Sequence, residues 1–278
     1  SVAHVSAAKK LAEQENVAGM HEVLELASAA RRLERVVHWS SATVSGARRG
    51  YVLEDELSAR YGFHNAVERT QLEAERLLRR AASRIPSVIL RPTTLVGDSL
   101  TGEIDRFEGP YLLVLLMLSS PGELRLPMPG HGDTPLNLVP IDYVVEAGMH
   151  IARHARAVGR TFHIVDPDPL TARRVIELIA DATGRPVPRA FVPGQFATTL
   201  LKTPGLNQFS HVPRAFLDQV RTEVVYDDRN AKELLAGSGI RCPGFEEYVD
   251  VMVRYVRGQQ AEIRAKALDE LLPDHEPL

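Results

Sequence analysis

The chain has 278 residues, with 33 Lys and Arg against 36 Asp and Glu for a formal charge of -3, and 44% of it is hydrophobic. That balance predicts a globular protein with a substantial core, and its interspersed charges leave no basic stripe to neutralise phosphates, so nucleic acid is not an expected partner. The only cysteine, Cys242, excludes an internal disulfide and a multi-thiolate metal site, which suits a reducing cytosol.

Val2 to Val5 alternates and ends in the small residues Ser6 to Ala8, which predicts a buried strand running into a turn. Apolar residues at helical spacing from Leu11 to Ala30 predict a crossover helix, closed by Arg31 and Arg32. Arg35 to Ser40 reads as a second strand, with Ser41 to Gly46 as the loop beyond its carboxyl end. Asn65 to Ala82 is amphipathic, and Pro86 to Leu90 is a further β run ending at Arg91-Pro92. Strand, helix, strand in this order predicts a parallel sheet. The run Tyr111 to Leu118 falls short of the about 20 residues a membrane helix needs and reads as buried in protein. Pro121 to Pro135 reads as a loop and Leu136 to Val139 as a short extended piece. Asp142 to Ala155 and Thr171 to Thr183 read as helices flanking a strand at Thr161 to Val165. Beyond Arg185 the prolines at 188, 193, 204 and 213 predict short helices, followed by a long helix from about Phe245 to Leu272. The expected division is residues 1–185 as an α/β core and 186–278 as a mostly helical cap. Ser1 to Lys10 is too short and polar for a signal peptide, so a cytoplasmic protein without a membrane segment is expected.

Several strings, in order, resemble the extended short-chain dehydrogenase/reductase superfamily, most closely its thioester and fatty-acyl reductase branch. Val2 to Ala8 is similar to the family's fourth strand, Asn16-Val17-Ala18-Gly19 to its following helix, and His38 to Gly46 to the strand that carries the active-site serine. Arg91 to Asp98 resembles the Arg-Pro loop, and Leu138 to Val144 a string typical of the branch. The resemblance implies a Rossmann-like fold, here as a partial, N-terminally truncated parallel sheet with flanking helices and a small C-terminal helical substrate cap. The family's glycine-rich turn, which seats a dinucleotide on a helix N-terminus, should precede Val2. The resemblance also places Val67 and Gln71 where the family has its Tyr and Lys. That tyrosine moves a proton as hydride moves, and the lysine lowers its pKa. None of the seven tyrosines is followed at four residues by a lysine.

The expectation is therefore a protein that has lost NAD(P)H redox chemistry and needs no cofactor. It would bind, or transform without redox, an apolar acyl or polyketide-like molecule. Two alternatives stand beside it: an NAD(P)H-dependent acyl or thioester reductase completed by another chain, and a non-catalytic partner of an intact paralogue. Ser41 matches the family serine, while His64 and Glu68 are candidate proton carriers, against the competing reading of a helix cap and a solvated carboxylate. Thr43, Arg91, Thr93 and Tyr111 are the candidate substrate contacts, against a structural role for Arg91 and, as the favoured reading of Tyr111, a buried core helix. Asp142 is expected as a helix N-cap behind Pro140. His150 and His154 have helical metal-pair spacing but no third ligand in the sequence pattern, so no metal is expected. With strand four at an edge, a second copy or another chain is expected to cover Val2 to Val5.

Overall fold

The computed structural model describes residues 9–119, 128–129, 132–187, 191–192 and 223–269. The expected strand at Val2 to Val5, most of the Pro121 to Pro135 loop and most of the proline-punctuated segment lie outside the described residues. Helix α1, Lys9–Ala12, runs through a π-helical turn, Glu13–Ala18, into α2, Gly19–Ala29. Strand β1 is Val36–Trp39, β2 is Gly50–Val52, and α3 is Ala66–Arg80. They are followed by β3, Ser87–Pro92, β4, Thr94–Val96, and α4, Pro110–Ser119. Next come β5, Met128–Pro129, β6, Leu138–Pro140, and α5, Ile141–Arg153. The order closes with β7, Thr161–Ile164, α6, Ala172–Thr183, β8, Phe191–Val192, β9, Val224–Tyr226, α7, Arg229–Leu235, and α8, Phe245–Asp269.

β1, β3 and β7 form a parallel sheet in that spatial order, with Val37 opposite Val88 and Leu90 opposite Phe162. β3 is buried at every position, as a strand covered on both faces must be. Its side chains divide by parity. Ile89 meets Met20, Ala74 and Leu78 on the α2/α3 face, whereas Val88 and Leu90 join Val144, Ala147 and Ile151 on the α5 face. A third cluster unites α4, α6 and α8 through residues such as Val114, Ile176 and Met252.

α3 begins with reciprocal capping. The Asn65 Oδ1 accepts the Glu68 N–H at 3.0 Å, and the Glu68 Oε2 accepts the His64 N–H at 2.9 Å. Such a cap stabilises a helix by about 1 kcal/mol. At α5 the expectation is corrected: Pro140 occupies the N-cap position without a side-chain cap, and Asp142 lies inside the first turn. Its carboxylate instead accepts the Ser99 N–H at 3.0 Å and the Ser99 hydroxyl at 2.6 Å, pinning the loop after β4.

The segment after residue 185 is also not simply a run of short helices. β9 pairs in parallel with β2, Tyr226 opposite Val52, and α7 places Ala231 and Leu234 in the cluster that covers the α5 face of the sheet. Long-range pairing of two three-residue strands carries no local signal, so periodicity alone misses it.

Candidate functional site

The carboxyl end of β1 opens into a short 3-10 turn, Ala42–Ser45, capped by Ser41. The Ser41 Oγ accepts the Thr43 N–H at 3.2 Å, and the two hydroxyls lie 2.8 Å apart. Gly46 ends the turn at a φ of 66°, and a Cβ there would fall on the Gly62 carbonyl, so the loop passes against the backbone just before α3. Ser41 and Thr43 are thus brought together, half-buried, near the start of the helix that carries Val67 and Gln71.

His64 and Glu68 are also brought together, with the His64 Nδ1 3.2 Å from Glu68 Oε2. The carboxylate is buried rather than solvated, which corrects that part of the competing reading. Its oxygens take the His64 N–H and the Asn65 Nδ2, so capping α3 already uses much of its acceptor capacity. Val67 is 3% exposed and Gln71 9%. At positions 67 and 71 the helix presents an uncharged, apolar-to-amide pair.

Arg91 takes the structural one of its two expected roles. As a substrate contact it would face a cleft; here it is 1% exposed and holds the fully buried Glu75. Its Nε and Nη2 donate to the two carboxylate oxygens at 3.0 and 2.5 Å, and its Nη1 donates to the Glu54 and Glu56 carbonyls. Burial works to raise the Glu75 carboxyl, but Arg91, then Arg79 and the Ser40 hydroxyl, more than offset it and hold the group below the usual range. Tyr111 follows the core-helix reading: it is 1% exposed, and its hydroxyl donates to the Gly102 carbonyl at 2.7 Å within the α4 core. Thr93, 9% exposed, donates its hydroxyl to Asn137 Oδ1 at 2.6 Å, leaving it turned into the fold. The helical histidine pair is split between other bonds, with the His150 Nε2 3.2 Å from the Leu234 carbonyl and the His154 Nδ1 accepting the Arg156 N–H. Among the described residues no cluster could hold a metal.

Three residues that sequence reasoning did not single out complete the buried polar spine. The His163 Nδ1–H donates to the Asp227 carbonyl at 2.7 Å, which leaves Nε2 to accept from Arg91 at 3.4 Å and fixes a neutral ring. Burial, then the Arg91 charge, lowers His163 to about 4. Glu54 accepts three backbone N–H groups, from His163, Asn230 and Ala231, and so ties the edge of β7 to the start of α7. Desolvation still outweighs those bonds and raises Glu54 to about 7. Tyr226 sets its ring edge-on to His163 at 5.4 Å, and its phenol bonds the Ser45 side chain and is raised by burial. It brings a phenol to the Ser41 turn, and its arrival depends on the β2/β9 pairing that local sequence does not announce.

The two titrations oppose each other. Glu54, raised from about 4.5 to about 7, contributes stability that is complete below its lower value and lost as pH rises through the upper. His163, lowered from about 6.5 to about 4, contributes stability present above 6.5 and lost as pH falls through 4. Glu54→Gln removes only the first. Urea unfolding at a series of pH values should therefore show the parent losing stability relative to this variant between pH ~4.5 and ~7. A difference independent of pH would show that Glu54 does not titrate there.

Residues 1–148 match the NAD-binding family described as male sterility protein. The aldehyde reductase lnbA of Aspergillus flavus is 30% identical over 126 residues, which are 43% of this chain and 12% of that protein. The glycine betaine reductase ATRR of Emericella nidulans is 27% identical over 167 residues, 58% of this chain and 13% of that protein. The chain thus spans about an eighth of the length of the curated relatives it matches. The crystal structure of the terminal R domain from the myxalamid PKS-NRPS pathway superposes with a TM-score of 0.75 at 22% identity, covering 93% of this chain and 67% of that one. The UDP-glucuronic acid 4-epimerase of Bacillus cereus, solved with UDP-glucuronic acid and NAD, gives 0.67 at 18% identity, covering 93% and 73%.

Proposed function

The chain belongs to the NAD-binding male sterility protein family, with the α/β fold of short-chain dehydrogenase/reductase domains, and from that premise we propose that it engages an apolar acyl-type substrate without passing hydride to it. The observation that carries this reading is the buried pair Val67 and Gln71 on α3. Reduction of a carbonyl needs a proton for the oxygen as hydride reaches the carbon, and that acid must stand within hydrogen-bond reach. Val67 has no proton to give, and Gln71 has no charge with which to tune one. The family implies a nicotinamide dinucleotide, which supplies hydride when bound; Val67 and Gln71 do not fit its redox use.

What the chain does supply is a hydroxyl pair. Ser41 and Thr43 hold each other at 2.8 Å at the end of β1, with the Tyr226 phenol on Ser45 of the same turn. Polar groups that converge at the carboxyl ends of parallel strands are suited to holding a substrate carbonyl. A second reading, an acyl or thioester reductase of the usual kind, is favoured by the reductases among the relatives. The two separate in one titration. Decanoyl pantetheine added to the protein with NADPH should give binding heat while absorbance at 340 nm stays flat, and Ser41→Ala should weaken the binding by about tenfold, the worth of one hydrogen bond to a buried group. Loss of absorbance in step with thioester consumption would favour the reductase; absence of binding heat would remove the substrate claim.

A further inference from the structure

β2 and β9 have three residues each and pair only with each other. An isolated two-stranded pair is marginal in water, so other contacts must fix where β9, and with it Tyr226, lies. Glu54 follows β2 by two residues and supplies them. It is 2% exposed, and both of its oxygens are engaged. Oε1 accepts the His163 N–H at 3.1 Å and the Ala231 N–H at 3.2 Å, while Oε2 accepts the Asn230 N–H at 2.6 Å. His163 lies on β7, the outer strand of the three-stranded sheet, and Asn230 and Ala231 open α7 just after Tyr226. One carboxylate thus ties the chain leaving β2 both to the sheet edge and to the chain leaving β9. Asp227 closes the clamp: its N–H donates to the Val52 carbonyl at 2.9 Å, and its carbonyl accepts the His163 Nδ1–H at 2.7 Å.

We infer that Glu54 is a positioning residue for the Ser41 turn, holding the Tyr226 phenol on Ser45 through this clamp, a proposal that rests on reading Ser41 and Thr43 as the holders of a substrate carbonyl. Tyr226 is the last residue of β9, between the anchored strand and the anchored start of α7. Its ring meets His163 edge-on at 5.4 Å, and its phenol reaches Ser45, the last residue of the turn in which the Ser41 and Thr43 hydroxyls lie 2.8 Å apart. Groups that hold a ligand well are themselves locked by a surrounding set of hydrogen bonds. The carboxylate is specific to the task. Three N–H donors converge on two acceptor oxygens, and an amide in its place turns its own N–H groups toward at least one of them. The contacts lie at the β7 edge of the sheet, with β3 between them and β1.

Fluorine NMR of protein labelled with ring-fluorinated tyrosine reads the clamp directly, the Tyr226 signal being identified by its loss in Tyr226→Phe. Glu54→Gln should shift or broaden that signal toward the position of the free amino acid. The signals of Tyr111, Tyr248 and Tyr255, packed in the α4, α6 and α8 cluster, should stay as in the parent, which separates a local release from general loosening. Decanoyl pantetheine binding then shows whether the clamp reaches the turn. Glu54→Gln and Tyr226→Phe should each weaken it by about threefold to tenfold, and the double variant should match the weaker single within about twofold, because both act through one contact. Glu54→Asp, which keeps the charge but not the reach, serves the same comparison if Glu54→Gln does not fold. An unmoved Tyr226 signal in a folded variant, or losses that multiply in the double variant, would overturn the inference. A parent that gives no binding heat would remove the substrate reading of the turn and leave the fluorine signal to decide the clamp.

Discussion

Replacing Glu75 with alanine is expected to lower the unfolding free energy by about 3–5 kcal/mol, the largest loss from any single substitution considered. The pair it belongs to is almost fully sealed, Glu75 at 0% and Arg91 at 1% exposure. Truncating Glu75 leaves the Arg91 guanidinium buried without its counterion, and also strips Ser40 and Arg79 of their acceptor. Arg91→Ala strands the opposite charge and the Glu54 and Glu56 carbonyls. Because both substitutions break one network, the double variant should fall short of the sum of the singles by about 1–3 kcal/mol, read by urea unfolding. A loss under about 1 kcal/mol for Glu75→Ala would mean that water reaches the pair.

Val67→Tyr combined with Gln71→Lys is expected to raise carbonyl reduction with NADPH by about 10²–10⁴-fold over the parent, the usual worth of a positioned acid. The positions are one helical turn apart, so both new side chains point to one face of α3, and the lysine ammonium would draw the phenol towards working pH. The Ser41 turn lies next to them, and Ser41→Ala in this background should remove most of the gain. Enlarging two buried sites, one with a charge, is expected to cost stability of about 1–3 kcal/mol. A folded double variant that binds NADPH yet reduces no faster than the parent would show that the missing acid is not what limits the chemistry.

The strands and helices that repeat the β–α alternation were legible because each has its own periodicity, and the start of α3 is written in the Asn65-x-x-Glu68 spacing. The site was legible only in part. Ser41 and Thr43 are placed by the loop after β1, whereas the sequence leaves Arg91 and Tyr111 open between a ligand and the fold; both, with Thr93, face the fold. An arginine in a loop motif looks the same whether its carboxylate partner is a substrate or Glu75, sixteen positions earlier in the chain. Glu54, His163 and Tyr226 were missed for a related reason: what gathers them is the β2/β9 pair, formed across more than half the chain by segments too short to carry a pattern. The reading of Glu68 shows the converse. Its place at the helix start is local and visible, but its burial and its bond to the His64 N–H depend on what packs there.

Deuterium tracing tests the central claim most directly. The protein is incubated with NADPH carrying deuterium at the transferable position and with decanal, a long-chain aldehyde, and the organic extract is analysed by mass spectrometry. Without an acid at position 67, the decanol recovered should contain no deuterium above that of a protein-free control. Deuterated decanol formed by the parent protein, and abolished by Ser41→Ala, would contradict the account.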